Sequence, residues 1–138
     1  MKTLTRGQLA RASAVGPETI RFYEREGLLP PSDRSGNGYR QYTAEAVHRL
    51  RFIRRAKHLG FDLGEIRELL SLHDDPNASR ADVKALTRSK LEEIDRRIDD
   101  LSRMRNVLSR LETECSGRGR ISGCPIIQAL EFCEANDQ

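Results

Sequence analysis

Tryptophan is absent from this 138-residue chain, and aromatic residues make up only 5% of it. Hydrophobic residues reach 37% and charged residues 33%. That balance excludes one large core and suits solvent-exposed helices that each bury a single stripe. Long apolar runs are missing too: nothing approaches the roughly 18 residues that a membrane span needs. The first twenty residues hold no extended apolar core of a secretory signal, so a cytoplasmic protein without membrane contact is expected. Cysteine is scarce. Three thiols, an odd number in a chain without a signal, read as reduced rather than as a disulfide framework. No acid–base pair or activated nucleophile converges, and no histidine stands close to Cys115, so an enzyme is not expected.

What is present is unevenly placed. Residues 1–61 hold twelve Lys and Arg against five Asp and Glu, a net +7, whereas residues 62–138 hold twelve against sixteen, a net −4. A basic first half joined to an acidic second half points to a polyanion-binding module linked to something else.

Along the chain, Thr5 can cap a short helix over residues 6–12, with Leu9 and Ala10 inward. Pro17 suits a first helical position, because its missing N–H would lack a partner there. A second helix over 17–26 follows and Gly27 ends it. Two short helices across a tight glycine-containing turn make a helix-turn-helix pattern. Turn-forming residues 32–38 and the alternating Tyr39-Arg40-Gln41-Tyr42 then read as a small β-wing, with Arg34 and Arg40 on it. Thr43 caps a third helix that Gly60 stops. A fourth carries Ile66, Leu69, Leu70 and Leu72 on its apolar face.

After the break at Asp74-Asp75-Pro76-Asn77, Ser79 can cap a helix over residues 80–114. Its apolar positions, Val83, Leu91, Ile94, Ile98, Leu101, Met104, Leu108 and Leu111, recur mostly in steps of three and four. A helix of that length extends about 50 Å at 1.5 Å per residue, too far for its own small domain to wrap. A narrow stripe sustained over four or more heptads is a coiled-coil seam, which predicts a homodimer.

Cys115 and Cys124 stand with eight residues between them, in a glycine-rich loop directly after that helix. Thiolates select soft ions such as Cu(I) and Zn(II), and a flexible loop can turn two sulfurs toward one point. The same spacing also fits a disulfide.

The stretch Glu18-Thr19-Ile20-Arg21-Phe22-Tyr23-Glu24-Arg25-Glu26-Gly27-Leu28-Leu29, with Gly38-Tyr39-Arg40-Gln41-Tyr42 and Leu59-Gly60-Phe61, resembles the MerR family of bacterial transcription regulators over nearly the whole chain. Cys115…Cys124-Pro125-Ile126-Ile127 resembles its metal-sensing branch, and Asp82-Val83-Lys84 its copper-responsive members. The resemblance implies a mainly α fold. A winged helix-turn-helix DNA-binding domain with linking helices (1–75) would precede a long antiparallel coiled-coil dimerisation helix (79–114), then a metal-binding loop and C-terminal helix (115–138).

It also implies promoter DNA and RNA polymerase as partners, and a homodimer that activates by distorting DNA. Thr19, Arg21 and Tyr23 on the second helix would contact DNA, with Arg34, Tyr39 and Arg40 on the wing. Tyr23 fits packing beneath the helix as well, and Phe22 and Phe52 are expected in the core. Cys115 and Cys124 would hold the metal. Two thiolates suit linear Cu(I), Ag(I) or Au(I) better than tetrahedral Zn(II). Lys84 or Arg80 would offset the resulting net charge. The cysteine loop is one residue longer than is usual for copper-responsive members, which leaves a divalent sensor (Zn, Cd, Pb or Hg) or a thiol-based redox or electrophile sensor open. Cys133 would be a spare cysteine or a third ligand.

Overall fold

The computed structural model describes residues 3–30, 33–34 and 40–132; at residues 33, 34 and 40 it describes the backbone alone. Helices α1 (Arg6–Ser13) and α2 (Pro17–Arg25) come first, followed by strands β1 (Asp33–Arg34) and β2 (Arg40–Gln41). Then come α3 (Ala44–His58), α4 (Leu63–Asp74), α5 (Arg80–Glu114) and α6 (Pro125–Phe132). The chain divides into two compact units, Met1–Lys90 and Leu91–Gln138.

The first unit owes its helices to local chemistry. Thr5 caps α1 in a reciprocal capping box with Gln8, and Asp62 does the same for α4 with Glu65. Pro17 opens α2. Gly27 (φ 75°) and Gly60 (φ 96°) end α2 and α3 in the left-handed region, which costs a glycine little. β1 and β2 pair antiparallel with Arg34 opposite Arg40, and Leu4 bridges Tyr42 beside them. Leu9, Ile20, Leu28, Leu29, Leu50 and Ile53 are fully or almost fully buried, with Tyr23, Tyr42, Ile66 and Leu70 around them. This core fixes the angle between α1 and α2.

Long-range hydrogen bonds tie its ends. Arg49 Nε donates to the Leu28 carbonyl at 2.6 Å, while its Nη atoms meet both Asp74 carboxylate oxygens at 2.9 Å. That guanidinium, with His73 beside it, holds the Asp74 carboxyl down at about 2. Arg6 and Tyr42 both reach Glu24, which joins α1, the wing end and α2.

The second unit buries much less. Along α5, Leu91, Ile94, Ile98, Leu101, Met104, Val107 and Leu108 are all exposed, Leu101 at 63%. Leu111 is its buried apolar side chain among the described residues. An apolar row left in water from Leu91 to Leu108 has the spacing of the expected seam. No helix among the described residues is long and apolar enough to cross a membrane.

Candidate functional site

Two surfaces carry the candidate chemistry. The first is the outward side of α2. With Ile20 and Tyr23 in the core, the residues turned away at helical spacing are Glu18, Arg21, Phe22 and Arg25, all exposed, with Thr19 partly so. Arg21 and Thr19, expected to contact DNA, are thus on the outward side of α2. Tyr23 does not. It is 5% exposed and packs in the core against Phe22, whereas Phe22, expected inside, is 37% exposed.

The reason is helical phase. Ile20 is fully buried, and the residue on its face one turn later is 23, not 22. That spacing was the available signal for Phe22 and Arg25, which the sequence reading did not place on this surface. Arg34 and Arg40 lie in the paired wing strands, while their side chains and all of Tyr39 lie outside the described residues. Tyr42 is buried, and its hydroxyl donates to Glu24.

Beside the turn between α1 and α2, Arg51, Arg54 and Arg55 of α3 line a cavity of about 240 Å³ with Ala12, Ser13 and Ala14. All three arginines are exposed, although Arg51 also donates to the Ala12 carbonyl at 3.2 Å. Arg49 is different: its guanidinium is committed to Leu28 and Asp74. A larger cavity of about 460 Å³ between the end of the wing, α3 and α4 is lined by His48, Phe52 and His73 among others. His73 bonds Asp74 at 3.1 Å and stacks at a tilt on Phe52.

The second surface is the loop between α5 and α6. Cys115 follows the last turn of α5, its N–H donating to Leu111 and Glu112 carbonyls. Cys124 stands at the cap position of α6: its carbonyl accepts the Gln128 N–H at 3.0 Å, and Pro125 takes the first helical position. The Cys124 sulfur faces the free N–H groups of that helix. Hydrogen bonds from the Ile127 and Ile126 backbone N–H groups hold its thiol below the ordinary range, and one from the Cys115 side chain adds to them; partial burial opposes this.

Both cysteines are half-buried free thiols. They stand at the two ends of one glycine-containing loop, Cys115 just after α5 and Cys124 just before α6. Among the described residues no three His, Cys, Asp or Glu side chains gather as a metal site. Cys115 and Cys124 are the thiols among the described residues, and thiol sulfur is a donor that favours soft ions. Cys133 lies outside the described residues. Arg80 and Lys84 are exposed on the first turns of α5.

Comparison with known proteins bears on both surfaces. Residues 4–72 match the family described as MerR HTH family regulatory protein, and residues 47–111 that described as MerR, DNA binding. The HTH-type transcriptional regulator HmrR of Rhizobium leguminosarum bv. viciae is 44% identical over 124 residues, which cover 90% of this chain and 95% of that protein. The mercuric resistance operon regulatory protein of Bacillus cereus is also 44% identical over 124 residues, covering 90% and 94%. Among solved structures, the transcription regulator PbrR691 from Ralstonia metallidurans CH34 in complex with lead(II) superimposes with a TM-score of 0.83 at 32% identity, over 92% of this chain and 98% of that one.

Proposed function

This chain belongs to the MerR family and is a metal-responsive transcriptional regulator rather than an enzyme, and from that premise we propose that it is a cytoplasmic homodimer that activates a metal-resistance or homeostasis promoter when Cys115 and Cys124 take up a soft ion, Cu(I), Ag(I) or Au(I) by preference. The observation that carries this reading is the pair of half-buried free thiols at the two ends of one loop, Cys115 just after α5 and Cys124 at the cap position of α6.

Two thiolates satisfy a linear monovalent ion completely. Pb(II), Hg(II) or Zn(II) would accept further donors, although relatives whose names refer to mercury and lead keep that class in view.

On DNA, Thr19 and Arg21 contact the major groove from α2 and the exposed Phe22 and Arg25 extend that face. Arg34, Tyr39 and Arg40 hold the flanking backbone from the wing, and Arg54 and Arg55 supply further phosphate contacts. Dimerisation along α5 sets two such heads at a fixed spacing on a pseudo-palindromic operator. RNA polymerase is the partner at the promoter. The response is a population shift: the thiol pair has higher affinity for the ion in one quaternary state, and only that difference is available to deform DNA.

The test is transcription from the cognate promoter against Cu(I), Ag(I), Au(I), Zn(II), Cd(II), Pb(II) and Hg(II). A Cys115→Ser/Cys124→Ser variant should lose the response to the inducing ion and keep duplex affinity. Induction by divalent ions alone would overturn the two-thiolate preference. Full induction of the double variant would overturn the site. A response to peroxide that survives chelation but not reductant would favour the redox reading instead.

A further inference from the structure

Lys90 is the one charged side chain that is buried among the described residues, at 6% exposure. Removing an ammonium group from water is costly unless its charge is met. Here Nζ lies 2.8 Å from Glu65 Oε1 and 5.5 Å from the centre of the Phe61 ring. Glu65 already has a task. As the third residue of α4 its carboxylate accepts the Asp62 N–H at 2.8 Å, while its own N–H donates to Asp62 at 2.8 Å. An amine from α5 is therefore seated on the capping box that starts α4. Two residues along, Arg67 Nη2 donates to the Glu26 carbonyl at 2.8 Å and meets the Glu26 carboxylate at 3.2 Å. Glu26 caps the C-terminal end of α2. One ion pair thus ties α4 to α5, and a second ties it to the DNA-facing helix.

We propose that Lys90 is the positioning residue through which a change in α5 reaches α2, by way of Glu65, α4, Arg67 and Glu26. The inference deepens the reading above and rests on it, because it names the route by which the metal response meets the duplex. Lys90 closes the first unit, and α5 continues unbroken to Glu114. An ion pair with only its ammonium end buried contributes less net stability than a well-packed apolar pair would, but it has direction. It persists only while Lys90 and the start of α4 keep register, so a shift of α5 carries Glu65 with it. Arg67 is on the same capped helix and moves as part of it. An apolar side chain at position 90 would slide across Phe61 without that drag.

The experiment compares the full-length protein with Lys90→Met, Glu65→Gln, Lys90→Arg and the exchanged pair Lys90→Glu/Glu65→Lys. A first readout needs no metal: amide hydrogen exchange at Leu28 and Leu29, whose N–H groups donate to Tyr23. Lys90→Met should speed exchange there by about tenfold relative to the Leu50 amide; unchanged protection overturns the proposal.

A second readout is the ratio of transcription with and without Ag(I) or Hg(II). It should fall at least about fivefold in Lys90→Met and in Glu65→Gln, the lower end of typical allosteric coupling. Metal affinity of the free protein and duplex affinity without metal should stay at wild-type values. Lys90→Arg and the exchanged pair should recover the ratio. Retained induction in both neutral variants overturns the proposal, as does its loss in Lys90→Arg. If the wild-type protein answers neither ion, the functional reading fails, and the exchange measurement alone decides the role of Lys90.

Discussion

The two units solve the problem of apolar surface in opposite ways. Residues 1–90 close Leu9, Ile20, Leu28, Leu29, Leu50 and Ile53 into a core of their own. Residues 91–138 leave nearly every leucine and isoleucine of α5 in water, Leu111 excepted. The first unit carries its stability within one chain. The second is written for a second copy, because apolar area yields free energy only when something covers it.

The sharpest way to break this comparison is at the seam. Leu101→Glu with Leu108→Glu should leave a monomer in sedimentation, and binding to a two-half-site duplex should weaken by about a hundredfold or more, since linked half-sites owe that much to avidity. Melting of the first unit should not move. In the core, Leu50→Ala should cost about 2–5 kcal/mol in denaturant titration, independent of protein concentration. Equal sensitivity of that loss to dilution would erase the distinction between the units.

A smaller effect comes from the Arg49–Asp74 pair. The Asp74 carboxyl is lowered from its ordinary 3.8 to about 2, so its contribution is present above the ordinary value and disappears as pH falls from about 4 to 2. The shift alone corresponds to roughly 2.5 kcal/mol, which the half-exposed carboxylate discounts to about 1 kcal/mol. Asp74→Asn should therefore melt lower than wild type at pH 7, and the gap should close by pH 2.

The smallest test lies in the second unit. Cys124, with its lowered thiol, should react with iodoacetamide a few-fold faster than Cys115 at neutral pH, and the difference should shrink above the ordinary thiol range. Peptide mapping by mass spectrometry reads both rates.

Much of this was legible in the sequence where the determinants are local. Thr5, Pro17 and the heptad spacing announced α1, α2 and α5, and α5 spans residues 80–114 as the periodicity required. Asp62 and Glu65 form a capping box that could have been read from their spacing and was not. What sequence could not supply was choice between neighbours and contact at a distance. Phe22 and Tyr23 are adjacent aromatics, and composition alone does not choose between them; the choice follows only once Ile20 is known to face the core. Arg49 sits in a run of surface-like arginines, yet its partners are 21 and 25 residues away. Lys90 lies in the polar stretch Ser89-Lys90, where nothing local marks it as buried. The thiol pair was visible as spacing, whereas the asymmetry between its members depends on α6 beginning at Pro125.

The cysteine loop has a consequence for how such a sensor can diversify. Gly117, Gly119 and Gly123 have φ of 76°, 101° and 84°, and a Cβ at any of them would meet no atom within 4 Å. Its path is thus held by backbone preference and not by packing. Around those glycines Ser116, Arg118, Arg120, Ile121 and Ser122 are exposed. The side chains at these five places can therefore change without disturbing the frame that spaces Cys115 from Cys124.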